Sequence, residues 1–419
     1  MFGRVASIGV AIAAVSATVA ITRQADSLTA PASVNSMVGS FGDASQLSSD
    51  VAFLVVAGGG APSYNEIALE KNVRYFQRTL AYMGQSMAAA TIFFANGNDG
   101  QATIRYLDPR GTERFKAPDI ADLTGTATHA NLRTWLDTYP QTAKGAENCP
   151  VFMYFTGHGA LNSVNDDDNA LILWEETLMS VQDLASTLDR WPTAIPFVTM
   201  MAQCYSGAFA NLIYEGGDPD QPIALQTRCG FFATVKTRPS VGCTPLVNES
   251  DYRDYSSSFF AGLSGRDRLG ELVVSADYDE NGTVSYAEAH AFAKVDGETP
   301  DWPISTSEAW LQRQASTADA AAILAMPMQS WLELARPEQK VVITALATEL
   351  DYSLMASFDE LSEPKARLMS PPQEILTAYY QRLRMELLNV GMEQSIRNQG
   401  DADAIAALDK LLACEASTW

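Results

Sequence analysis

The chain has 419 residues, of which 47% are hydrophobic and 19% are charged. This composition is typical of a globular protein with a large core and excludes a disordered chain. With 50 acidic and 28 basic residues, the formal net charge is -22, which disfavours binding to nucleic acids and to anionic lipid surfaces.

The N-terminus has the pattern of an export signal. Arg4 supplies a positive start, residues 5–21 are uncharged, small or apolar, and Thr18-Val19-Ala20 offers a small-x-small cleavage site. The alternative is a membrane anchor, but the run is short and only weakly hydrophobic for a bilayer span. We therefore predict a signal peptide over 1–25 and a periplasmic or extracellular protein. No stable membrane association is expected after cleavage.

Residues 26–50 are rich in Ser, Ala and Gly and are interpreted as a leader or linker. Beyond them, short apolar runs alternate with segments of helical periodicity. The predicted strands are 51–57, 88–95, 151–155, 197–202 and 231–235. The predicted helices between and after them are 65–82, 129–139, 179–191 and 255–265. This alternation predicts an α/β fold with a largely parallel sheet covered on both faces, with 99–125 as a loop or small hairpin.

The pattern changes after residue 303. Helical periodicity dominates, over 338–350, 374–398 and 402–412. We predict a domain over 51–303 and a helical C-terminal region over 304–419, packed on or beside it.

The chain contains five cysteines: Cys149, Cys204, Cys229, Cys243 and Cys414. In an exported protein an odd number suggests disulfides plus one free thiol. Cys229 and Cys243 bracket a short segment with Pro239 and Gly242, which makes them the preferred pair, and Cys149–Cys414 is the second. The alternative is that all five are reduced and buried.

One histidine and one cysteine follow strands that are neighbours in the predicted sheet. His158 lies between two glycines after 151–155, and Cys204 comes directly after 197–202, before a predicted apolar helix at 209–214. An accessible imidazole is a suitable base. A thiol near a helix N-terminus favours the thiolate, and the same turn leaves backbone N–H groups free for an oxyanion. Either residue alone is more often structural, but the pair in this placement favours nucleophilic catalysis.

These two motifs, Tyr154-Phe155-Thr156-Gly157-His158-Gly159 and Met201-Ala202-Gln203-Cys204-Tyr205-Ser206-Gly207, resemble the paired signatures of caspases, metacaspases and legumains. The resemblance implies a three-layer α/β sandwich and a cysteine endopeptidase acting on a protein or peptide substrate. It also implies His158 as the base, Cys204 as the nucleophile, and the N–H groups of Gly159 and Cys204 as oxyanion donors. A third catalytic member is left open.

The pattern departs from the family at Ala202, where caspases carry Gln and legumains an acidic residue. The specificity pocket is therefore expected to differ. Lys236 and Arg238, which follow the next strand, are candidates to hold an acidic or amide side chain, unless they are solvated loop cations.

A twelve-residue acidic loop, 277–288, matches the EF-hand calcium loop. Gly282 takes the turn position. The expected Ca²⁺ ligands are Asp277, Asp279, Asn281, Thr283, Ser285 and Glu288. Two functions remain open: an exported cysteine endopeptidase with one bound calcium, or a non-catalytic calcium-binding interaction module on a caspase-like fold.

Overall fold

The computed structural model describes residues 51–87, 90–142, 149–366 and 371–419. The predicted signal peptide, 1–25, and the predicted leader, 26–50, lie outside the described residues.

The described part of the chain is built around one mainly parallel sheet. The strands are β1 (Ala52–Gly58), β2 (Ala90–Phe94), β3 (Ile104–Leu107), β4 (Glu113–Lys116), β5 (Val151–Ala160), β6 (Ala170–Leu173), β7 (Thr177–Ser180), β8 (Phe197–Met201), β9 (Arg228–Phe232) and β10 (Ile304–Ser305). Their order in the main sheet is β10-β9-β8-β5-β1-β2, with only β10 antiparallel on this path. β6 and β7 extend the far end of β5 as antiparallel strands, and β3 pairs with β4 in a separate hairpin.

Eleven α-helices occur in the described residues: α1 (Ile67–Tyr82), α2 (His129–Thr142), α3 (Val181–Leu188), α4 (Tyr255–Ser264), α5 (Tyr286–Asp296), α6 (Thr306–Gln314), α7 (Thr317–Leu324), α8 (Met328–Leu332), α9 (Pro337–Glu349), α10 (Gln373–Gln399) and α11 (Ala402–Glu415). None of them is long and apolar enough to span a membrane.

The central strands are buried on both faces. In β1, Phe53 and Val55 point into a core shared with α1, α4 and α5. Leu54 and Val56 point into a second core on the other face, shared with α2 and α3. This two-sided burial explains why β1 is a continuous apolar run and not an alternating one. The predicted three-layer α/β sandwich with C-terminal helices is confirmed.

The C-terminal helices form a third core with Ile213 and Tyr214, which come from the sandwich. The last helix then returns to the sheet. Cys414 on α11 forms a disulfide with Cys229 on β9, and Trp419 packs edge-on against Phe53. The C-terminal region thus completes the core that covers one face of the sheet.

This disulfide corrects both predicted pairings, Cys229–Cys243 and Cys149–Cys414. Cys229 is the second residue of β9, and the strand then runs toward its carboxyl end before the loop that carries Cys243. Cys243 lies beside the carbonyl of Gly157, at the carboxyl end of β5. The strand between them carries the two cysteines to opposite ends of the sheet, although the sequence separation is short.

Candidate active site

His158 and Cys204 occupy equivalent positions on neighbouring parallel strands. Phe155 on β5 is in register with Met201 on β8, and each functional residue comes three positions later. Neighbouring strands lie about 4.8 Å apart, so both residues come to the carboxyl edge of the main sheet, Cys204 just beyond β8 and His158 on the part of β5 that pairs with β6. The strand order reverses direction between β1 and β5, and ligands of open α/β sheets bind at such a reversal.

Gly159 brings the histidine segment into direct contact with the cysteine turn. A β-carbon at Gly159 would lie 2.1 Å from the carbonyl oxygen of Cys204. Only glycine avoids this clash. The glycine therefore positions the backbone after His158 against the backbone of the candidate nucleophile.

The turn at Cys204 holds the thiol half-buried at the sheet edge. Tyr205 adopts a left-handed conformation, with φ of 59°, and its N–H donates to the carbonyl of Arg238. Among the described residues no acceptor takes the N–H of Cys204, which leaves this group available to an oxyanion. The sulfur accepts a hydrogen bond from the N–H of Ser240 at 3.3 Å.

The segment after Cys204 differs from the expectation. Ser206–Ile213 forms a 3₁₀ helix instead of the predicted α-helix at 209–214. The hydrogen bonds of such a turn are less well aligned, and the dipole stabilisation of the thiolate is correspondingly weaker than expected. The Ser240 N–H supplies a direct hydrogen bond to the sulfur instead.

Glu66 is a residue of the candidate site that was not predicted from the sequence. Its carboxylate lies 3.0 Å from Nε2 of His158 and 2.9 Å from a guanidinium nitrogen of Arg105. Burial raises the pKa of Glu66, but the hydrogen bonds from His158 and Arg105 outweigh it and hold that pKa below its usual value. The ionised carboxylate fixes the proton of His158 on Nε2 and leaves the Nδ1 lone pair free to act as a base.

One sequence signal could have identified Glu66. It lies in the loop after β1, and β1 adjoins β5 in the sheet. The rule that strand-end loops carry function applies to β1 as much as to β5 and β8. Glu66 is also an acidic residue at the start of the predicted helix 65–82, and the structure buries it almost completely.

Cys243 is a second free thiol beside the dyad. Its ligand atom lies within 4.8 Å of a ring nitrogen of His158 and of a carboxylate oxygen of Glu66. Close packing of protein atoms and the neighbouring Glu66 raise the pKa of Cys243 well above its usual value, although part of the residue faces solvent. The loop is anchored at Val241, whose N–H donates to the buried carboxylate of Asp301 at 3.1 Å.

The two candidate specificity cations are already engaged. Lys236 forms ion pairs with Asp166 at 2.9 Å and Asp167 at 2.7 Å. The guanidinium of Arg238 stacks over the ring of Trp302 at 4.1 Å. Because two carboxylates neutralise Lys236, the hypothesis that it binds an acidic substrate side chain loses support.

The acidic loop brings together the three carboxylates of the predicted calcium site. Asp277, Asp279 and Glu288 each place an oxygen within 4.8 Å of the others. Gly282 has φ of +89°, as the sharp turn requires. Ser285 caps α5, and its N–H and hydroxyl donate to Glu288.

Backbone hydrogen bonds fold the loop around this point. The N–H groups of Asn281 and Gly282 donate to Asp277, and the amide oxygen of Asn281 accepts from Thr283. An all-oxygen donor set with three negative charges fits Ca²⁺. The segment that enters the loop, 266–276, is not helical, so only the exiting half of an EF-hand is present.

No protein-family model and no curated protein matches this chain. Among solved structures, it is similar to the crystal structure of protein GSU0716 from Geobacter sulfurreducens, at 11% identity over 57% of this chain and 88% of that chain. The TM-score is 0.34, a level of similarity that supports no argument about this chain.

Proposed function

We propose that the protein is a cysteine endopeptidase of the caspase–legumain type, with Cys204 as nucleophile and His158 as base. The observation that carries this proposal is the placement of both residues at the carboxyl edge of the sheet, three positions after a pair in register. Burial of the Glu66 carboxylate against His158 adds support, since a base held by a third group is the general arrangement of activated nucleophiles.

The reaction follows from these groups. Nδ1 of His158 takes the proton of the Cys204 thiol, and the thiolate attacks the carbonyl carbon of the scissile bond. The N–H of Cys204, with that of Gly159 as a second donor, faces the oxyanion. His158 then protonates the leaving amine as the C–N bond breaks and a thioester forms. Water hydrolyses the thioester and regenerates the thiol.

We further propose that the loop 277–288 binds one Ca²⁺ and that the protein is exported. The donor set of the loop supports the first proposal. The Cys229–Cys414 disulfide supports the second, because disulfides persist mainly in oxidising compartments. In calcium-rich surroundings the bound ion would hold the loop against the start of α5.

An activity-based probe tests the peptidase proposal. A peptidyl acyloxymethyl ketone, applied at neutral pH and followed by peptide mapping, is expected to modify Cys204. Modification should be lost in Cys204→Ala and strongly reduced in His158→Ala. Absence of labelling in the folded wild type would overturn the proposal and favour a calcium-binding interaction module. Labelling confined to another cysteine would overturn the assignment of the nucleophile.

A further inference from the structure

Three side chains from three separate segments converge beside the candidate dyad. Glu66 precedes α1, His158 lies on β5 and Cys243 lies in the loop after β9. One carboxylate oxygen, one imidazole nitrogen and one sulfur lie within 4.8 Å of one another. Oε2 of Glu66 and Nε2 of His158 are 3.0 Å apart.

This set of ligand types is characteristic of zinc. Zn²⁺ binds histidine nitrogen and carboxylate oxygen at about 2.0–2.2 Å and thiolate sulfur at about 2.3 Å, usually in a tetrahedron. Neighbouring ligand atoms of such a tetrahedron lie about 3.3–3.7 Å apart. Closing a 4.8 Å group to this size requires a shift of roughly 1 Å, and partly exposed Cys243 can supply it.

Charge and ligand softness favour Zn²⁺ over Ca²⁺ and Mg²⁺ at this site. A Glu66 carboxylate and a Cys243 thiolate would bring two negative charges to Zn²⁺, with Arg105 already paired to the other oxygen of Glu66. Ca²⁺ and Mg²⁺ prefer oxygen ligands and would gain little from the sulfur.

Cys243 has no other evident role in the described structure. It is outside the disulfide, and its one hydrogen bond within the described residues is a weak sulfur contact of 3.7 Å to the carbonyl of Gly157. The reaction outlined above does not use it.

We propose that Glu66, His158 and Cys243 form an inhibitory Zn²⁺ site. On binding, the Cys243 thiol releases its proton to solvent, and the Nε2 lone pair of His158 is donated to the metal. The single imidazole proton must then sit on Nδ1, the nitrogen that otherwise accepts the proton of Cys204. The metal therefore removes the base without touching the nucleophile. Only this inhibitory consequence rests on the proposed function; the metal site rests on geometry.

Cobalt substitution tests the site directly in the full-length exported protein after removal of metal. Co²⁺ bound by a thiolate gives an intense charge-transfer absorption in the near ultraviolet. This band is expected in the wild type, in Cys204→Ser and in Cys149→Ser, and it should be absent in Cys243→Ser. A band lost in Cys204→Ser and retained in Cys243→Ser would place the metal on the nucleophile and overturn the proposal.

Zinc affinity, measured by competition with a chromogenic chelator, supplies a second readout. Cys243→Ser and Glu66→Gln are expected to weaken binding by at least about tenfold, whereas Glu288→Gln in the acidic loop should leave it unchanged. Equal affinity in the wild type and Cys243→Ser would contradict the site.

The two proposals can fail separately. Zinc should lower the peptidase rate of the wild type at concentrations at least about tenfold below those needed for Cys243→Ser, each relative to its own metal-free rate. If the protein is inactive when free of metal but gives the Cys243-dependent band once Co²⁺ is added, the peptidase proposal is rejected and the metal site is kept. If the protein is active but gives no such band with Co²⁺, the metal site is rejected and the peptidase proposal is kept.

Discussion

The Glu66 carboxylate lies 3.0 Å from Nε2 of His158, although the two residues are 92 positions apart in the sequence. The carboxylate is buried, and Arg105 holds its other oxygen. The contact therefore sets both the orientation and the tautomer of the imidazole.

Replacing Glu66 by Gln should lower kcat by about 10²–10⁴-fold with a small change in KM, because the amide no longer fixes the proton on Nε2. Steady-state kinetics on a peptide substrate checks this. Glu176→Gln is the matched control. Glu176 accepts a hydrogen bond from the hydroxyl of Tyr64, whose ring packs against His158, but among the described residues it makes no hydrogen bond to His158 itself. An unchanged kcat in Glu66→Gln would show that the carboxylate has no positioning role.

The disulfide gives a stability prediction. Cys229 and Cys414 are separated by 185 residues, and cross-links across long loops restrict the unfolded chain most. Cys229→Ala should lower the free energy of unfolding by about 2–5 kcal/mol. The Cys229→Ala/Cys414→Ala double variant should lose about the same amount, because either change removes the same bond.

Denaturant unfolding measures this loss, and mass spectrometry of the unreduced protein should recover a peptide linking Cys229 to Cys414. A linked peptide containing Cys243 would contradict the observed pairing.

Calcium should stabilise the protein through the acidic loop. A ligand that binds only the native state contributes about 2.7 kcal/mol at a hundredfold excess over Kd. Calcium is therefore expected to raise Tm, chelation to lower it, and magnesium to substitute poorly because it demands a tighter octahedral site. Differential scanning calorimetry in calcium and in chelator measures the shift.

The matched pair for this experiment is Glu288→Gln against Glu280→Gln. Both changes remove one negative charge from the loop, but Glu280 is exposed and is not among the clustered carboxylates. Glu288→Gln should abolish the calcium shift and Glu280→Gln should keep most of it. Identical melting curves of the wild type with and without calcium would rule out a working site.

Asp301 gives a pH dependence. Burial raises the pKa of Asp301 to about 7, and the positive charge of Arg382, the largest opposing effect, offsets this only in part. The folded protein thus binds the proton more tightly than the unfolded chain. Ionisation of Asp301 therefore lowers the free energy of unfolding. This loss is absent below the unfolded pKa of about 4, grows as pH rises, and is complete above about pH 7.

Asp301→Asn should therefore gain stability relative to the wild type as pH rises from about 4 to 8. Denaturant unfolding of both proteins across this range tests the sign. A difference in unfolding free energy that does not vary with pH would show that Asp301 does not titrate in this range.

The sequence predicted the sandwich because its strands are buried on both faces, and two-sided burial leaves continuous apolar runs such as that of β1. The candidate dyad could be predicted because His158 and Cys204 each come shortly after an apolar run, 151–155 and 197–202. Glu66 also lies in the loop after a buried strand, but its contact with His158 depends on how that loop folds back, which the sequence does not show.

The predicted Cys229–Cys243 disulfide was wrong because closeness in sequence does not make two cysteines close in the fold. Cys229 and Cys243 are near in sequence, but β9 separates them, while α11 returns from the end of the chain to reach Cys229. Short helices such as α7 and α8 were missed because they bury few residues each.

Hydrolysis of a peptide library by the purified protein tests the central claim most directly. The wild type should cleave, and both Cys204→Ala and His158→Ala should lose at least about 10³-fold in rate while melting at about the wild-type temperature, since the two residues act as one unit. Cys149→Ala, the same change at the amino end of β5, should retain the wild-type rate. Undiminished cleavage by folded Cys204→Ala would contradict the account.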